Sequence, residues 1–112
     1  MARSLPASAG EDPTDRHAAA VNVLRHAVFE SPGSTDPAVR AAAGSGGDLP
    51  EPLSSYAAKV RDQSYRITDT DFARLAAAGL GDDAIVEITI AAAVGAALQR
   101  LDAGMRAVRG RP

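Results

Sequence analysis

Cysteine is absent from the 112 residues, which removes disulfides, thiolate zinc sites, thiol nucleophiles and any dithiol relay. Tryptophan is absent too, and Tyr56, Tyr65, Phe29 and Phe72 are all the aromatics there are. An interior must then be filled by Ala, Val and Leu, which suits closely packed helices better than a sheet sandwich. Runs of β-branched residues with period-two alternation are missing, so strands have no support. No block of one charge sign stands out, because 12 basic side chains face 14 acidic ones. The electrostatic footprint of a nucleic-acid binder is therefore lacking. Arg106, Arg109 and Arg111 form the only basic cluster and read as a solvated helix end.

A secretory leader is not visible, since no apolar stretch flanked by basic residues opens the chain. The most hydrophobic window, Ile88 to Leu98, is too short to span a bilayer and sits between Glu87 and Arg100. These features lead us to expect a cytoplasmic protein with neither a membrane nor a nucleic acid as partner. The length allows one domain. We expect a flexible terminus over 1–14 and a single helical domain over 15–112.

What is present is helical periodicity with clear punctuation. A first helix is expected from about Asp15 to Phe29, with Val21, Leu24 and Val28 on one face and Ser31-Pro32-Gly33 ending it. Asp36-Pro37 reads as an N-cap with proline in the first turn, opening a short helix through about Ala43. Gly44 to Gly47 reads as a flexible joint. A helix from about Pro52 to Tyr65 follows, with Leu53, Tyr56, Ala57, Val60 and Ser64 along one side. Thr68 then serves as an N-cap, with Asp71 in the capping-box position, and Gly79 supplies a left-handed C′ residue. Asp82 or Asp83 caps the last helix, which runs to about Val108.

That last helix carries two apolar stripes. Val86, Ile90, Val94, Ala97, Leu101, Met105 and Val108 make one; Ile85, Ile88, Ala92 and Ala96 make the other, roughly opposite. A helix apolar on two sides is the centre of a bundle or is shared between subunits. Its small residues would let a second backbone approach closely, and we expect a homo-oligomer. The fold class is thus all-α, a bundle of about five helices around a long C-terminal one.

The run Ala76-Ala77-Ala78-Gly79-Leu80-Gly81-Asp82-Asp83-Ala84-Ile85-Val86-Glu87 is followed by Ala-rich turns from Ile88 to Leu98. On these residues the chain from Tyr56 to Leu101 resembles the carboxymuconolactone decarboxylase / alkylhydroperoxidase D family. The opening Leu49-Pro50-Glu51-Pro52-Leu53, then Lys59-Val60 and Tyr65-Arg66-Ile67-Thr68-Asp69, is similar to cysteine-free bacterial members. The resemblance implies an alkylhydroperoxidase D-like helical fold. It also implies where a redox centre would lie. Counting back from Gly79, the family's histidine falls at Asp71 and its two cysteines at Ile67 and Ser64. None of the three has the required chemistry, so thiol peroxidase activity is excluded. Decarboxylase members use no thiol pair, and that chemistry stays open.

Glu87 lies beside an apolar stripe, where a carboxylate would have a raised pKa and could act as an acid or base. Its ordinary structural reading is a first-turn acid favoured by the helix dipole and paired with an arginine. Asp71 and Ser64 surround the vestigial redox position as further catalytic candidates. Arg66 and Tyr65 would hold a substrate carboxylate through a bidentate contact and a hydroxyl. Capping alone accounts for Thr68 with Asp71. His17 and His26 point to opposite faces of one helix and cannot share a metal, so neither a metal nor any other cofactor is expected.

Two functions follow. One is a non-redox, homo-oligomeric accessory or scaffold subunit, with a protein partner as its company. The alternative is a cofactor-free enzyme or binder acting on a small organic acid, in the manner of the decarboxylases. A pocket bringing Glu87 and Arg66 face to face would favour the second.

Overall fold

Five α-helices and one short 3-10 turn build the chain in a computed structural model that describes residues 13–110, with no strand among them. The helices are α1 (Pro13–Phe29), α2 (Pro37–Ser45), α3 (Leu53–Asp62), α4 (Asp69–Ala77) and α5 (Asp82–Arg109); the turn is Ser64–Arg66. The all-helical class and the long C-terminal helix are as expected. Helix α1 begins at Pro13, ahead of the expected Asp15, and the rest of the expected flexible terminus lies outside the described residues.

Local chemistry sets most boundaries. The Asp36 carboxylate accepts the Ala38 N–H at 2.9 Å, and Pro37 occupies the first turn of α2. The Asp71 carboxylate accepts the Thr68 N–H at 2.8 Å, closing the capping box that starts α4. Helix α4 ends in a Schellman motif around Gly79, whose φ is +96°. There the Leu80 N–H donates to Leu75 O at 3.1 Å and the Gly79 N–H to Ala76 O at 3.0 Å.

Three expectations need correction. Helix α3 stops at Asp62, and Ser64 to Arg66 form the separate 3-10 turn. The N-cap of α5 is Gly81, while Asp82 and Asp83 occupy the first turn, where their charge favours the helix dipole. Gly44 is no joint: it is buried inside α2 and lies against Gly95 of α5. A Cβ built on Gly95 would fall inside the Gly44 backbone, and one on Gly44 would sit 2.7 Å from the Phe29 ring. Two glycines therefore let α2 and α5 meet backbone to backbone. Within that stretch the backbone turns left-handed at Gly46, at φ +80°, which ends α2.

The core is made of Ala43, Tyr56, Ala57, Leu75, Ile88, Ala91 and Ala92. Leu75 and Ile88 are its largest fully buried side chains, so much of its filling is alanine. Leu75 anchors α4 in this core. Helix α5 is the axle against which α1, α2 and α3 pack.

Of the two stripes on α5, the small one is inside: Ile88, Ala91, Ala92, Gly95 and Ala96 are buried, with Leu98 beside them. Most of the large one faces outward, with Val86 54%, Ile90 47%, Leu101 45% and Val108 61% exposed, while its Val94 and Met105 are half-buried. Those outward residues lengthen the apolar run beyond the expected Ile88–Leu98 window. By length and composition alone α5 could cross a bilayer, with a mean hydropathy of 1.5 over 18 residues, a third of which are buried in the bundle.

Candidate functional site

Glu87 stands on α5 opposite the loop joining α1 to α2. Its carboxylate accepts the Ser34 N–H and the Thr35 N–H, each at 2.8 Å, and the Thr35 hydroxyl at 2.6 Å. Gly33 must stay bare for this, because a Cβ there would lie 2.8 Å from the carboxylate oxygen. These donors favour the charged form. The Thr35 hydroxyl and the two backbone N–H groups pull the Glu87 pKa from 4.5 down to about 2, with the nearby Arg40 charge adding to them. The sequence-based expectation of a raised pKa is thus reversed. Partial burial opposes the shift, but three donors outweigh it.

Arg40 was not anticipated. It is 3% exposed and donates Nη1–H to Val28 O at 2.8 Å, with Nη2 donating to Ser31 O. Those carbonyls lie at and just beyond the C-terminus of α1, which has no other partner for them within the helix. The same device recurs twice. Arg61 Nη1 donates to Ala43 O near the end of α2 at 2.8 Å, and Arg100 Nη2 donates to Arg61 O near the end of α3 at 2.8 Å. Three successive helices are therefore finished at their negative ends by an arginine from another element.

Asp71 sits at the start of α4, 8% exposed. Besides Thr68 it binds Lys59 Nζ through both oxygens, at 2.8 and 3.0 Å. The Lys59 ammonium and the Thr68 N–H hold its pKa below the usual carboxylate value. Nearby, the Tyr56 hydroxyl meets Thr89 Oγ1 at 2.6 Å, and its ring packs at a tilt on Phe72 with centroids 5.9 Å apart. A small cleft of about 280 Å³ opens here, lined by Glu51, Pro52, Ser55, Tyr56, Asp71 and Arg74. Glu51 is itself engaged, accepting the Ser55 N–H at 3.0 Å and its hydroxyl at 2.9 Å.

Ser64, Tyr65 and Arg66 all lie in the exposed 3-10 turn. Tyr65 is 82% exposed, and Arg66 Nη1 donates to Gln63 Oε1 at 3.3 Å. Glu87 shares a concavity with Arg40, Val28 and Ile90, whereas Asp71 borders the cleft with Arg74. The five residues singled out from sequence thus belong to three places: Glu87 under a loop, Asp71 at a helix cap, and the other three on a surface turn. His17 and His26 are both exposed, and no group of metal-holding side chains occurs among the described residues.

No protein-family model, no curated protein and no solved structure matches the chain.

Proposed function

We propose that this chain is a non-catalytic, homo-oligomeric module. On this reading it is an accessory or scaffold subunit with the alkylhydroperoxidase D-like arrangement and none of the redox chemistry, acting as a soluble cytoplasmic protein. The observation that carries it is the outward apolar stripe of α5 on a chain whose acid–base candidates are spent on its own backbone. A general acid must release and regain a proton near neutral pH. Glu87, with its pKa near 2 and three donors already bound, is fixed as an anion. Asp71 is fixed likewise by Lys59 and Thr68.

The small-acid alternative has the cleft beside Asp71 as its best ground, with Arg74 as the cation. Lys59 already neutralises Asp71 there, and Glu51 faces Arg74 across the same cleft, so no net positive charge remains to hold an incoming anion. The charge balance therefore favours the subunit reading.

Native mass spectrometry of the protein purified gently from its own cells tests the proposal. The expected spectrum shows two or more copies of the 11.4 kDa chain, alone or with a second polypeptide. A single chain at working concentration contradicts it. A small added mass, matched by calorimetric binding of simple carboxylates that Arg74→Ala abolishes, would hand the case to the alternative.

A further inference from the structure

Resting on the homo-oligomeric reading, we infer that the outward stripe of α5 is closed by α5 of a second copy lying antiparallel across it, with Ala97 on the two-fold axis. Three features of the helix lead there.

Charge sets the direction. The first turn of α5 carries Asp82 and Asp83, and the last carries Arg106 and Arg109. Parallel pairing would stack acid on acid and base on base, with the helix dipoles aligned as well. Antiparallel pairing opposes the dipoles and brings each acidic end to a basic one. Asp83 lies on the stripe itself, three residues before Val86, and comes level along the axis with the last turn of the second copy, where the long Arg109 side chain reaches round from the α1 side of the helix to meet it.

Side-chain size sets the register. Along the stripe Val86, Ile90, Leu101 and Val108 are large, whereas Ala93, Ala97 and Gly104 are small, and all seven are exposed. With Ala97 facing its own copy, Ile90 lies over Gly104 of the second chain and Leu101 over Ala93. Val86 then meets Val108. Large faces small at both inner pairs, and the alanines at the centre let the backbones approach.

Gly104 supplies the third feature. Nothing lies within 4 Å of a Cβ built on it, so packing within one chain gives no reason for glycine in a helix interior, where it is less favourable than alanine. Under Ile90 of a second copy, it has one.

The absence of native cysteine makes the test direct. Single Ala97→Cys protein should form a covalent dimer on mild oxidation, since each cysteine meets itself at the axis. Single Val86→Cys should not, because its two copies lie about 33 Å apart. The double variant Val86→Cys/Val108→Cys should link. In the cysteine-free chain, Asp83→Arg and Arg109→Asp should each weaken dimerisation several-fold, and together restore it.

Linking of Val86→Cys alone would mean parallel helices and overturn the inference. A dimeric native mass with no linking at any of these sites would place the interface elsewhere, overturning the inference and sparing the homo-oligomeric reading. A native mass of one chain sinks both. So would pelleting of the unmodified chain with phosphatidylcholine vesicles, which would assign the stripe to lipid.

Discussion

One side of α5 carries Ile88, Ala91, Ala92, Gly95 and Ala96 into the bundle; the other carries Val86, Ile90, Leu101 and Val108 to the surface. The surface side holds the bulkier residues. Burial followed shape here, not hydrophobicity alone. A neighbouring helix can lie close only where side chains are small, and the meeting of Gly44 with Gly95 draws α2 onto the inner side. Val86, Ile90, Leu101 and Val108 are left uncovered by the other helices of the chain, and an exposed apolar stripe of this kind is what the proposed second copy would cover.

The sharpest way to break this contrast is within the inner side. Gly95→Ala gains about 1 kcal/mol of helix propensity but forces a methyl into the Gly44 backbone, at about 3 kcal/mol or more. Thermal unfolding should therefore fall by at least about 8 °C for a domain of this size, and a raised Tm would show that the α2–α5 crossing is not close. Ile88→Ala should cost about 2–5 kcal/mol in urea unfolding, as for other buried large-to-small changes. Ile90→Ala, one turn-face away, should leave the unfolding of the monomer nearly unchanged and weaken assembly instead.

Glu87 ties the inner helix to the α1–α2 loop, and its effect comes next in size. Its folded pKa lies below the unfolded value, so the stability it confers is present above pH 4.5 and is lost as pH falls from 4.5 toward about 2. Glu87→Gln should lower Tm by several degrees at pH 7 and flatten the dependence across that acid window. An unchanged acid limb would show that the loop donors do not hold the carboxylate in solution. The smallest effect belongs to the outer side. Gly104→Ala should stabilise the isolated monomer by about 1 kcal/mol while loosening the assembly, a change of opposite sign to Gly95→Ala in the same helix.

Much of the fold was legible because its signals are local. Asp36-Pro37, Thr68 with Asp71, and Gly79 each act within a few residues, and each stands where its chemistry requires. Gly44 was misread for the opposite reason. Its neighbours Ser45, Gly46 and Gly47 look like a linker, and its purpose lies 51 residues away at Gly95. The arginines that finish α1, α2 and α3 were hidden in the same manner, since nothing in Val39-Arg40-Ala41 names Val28 as a partner. Around the candidate site, Asp71 as a cap was readable. The donors to Glu87 were not, because Ser34 and Thr35 reach it only after α1 and α2 have folded back on α5. Both stripes of α5 could be seen in the sequence, but which one would be buried depended on that same long-range crossing.

Sedimentation equilibrium of the unmodified chain beside the Ile90→Lys/Leu101→Lys variant tests the central claim most directly. The account predicts an assembly of at least twice the 11.4 kDa chain mass for the first. For the second it predicts a single chain with undiminished helical circular dichroism. An unmodified chain that sediments as a monomer at high concentration, or a variant that stays assembled, would contradict it.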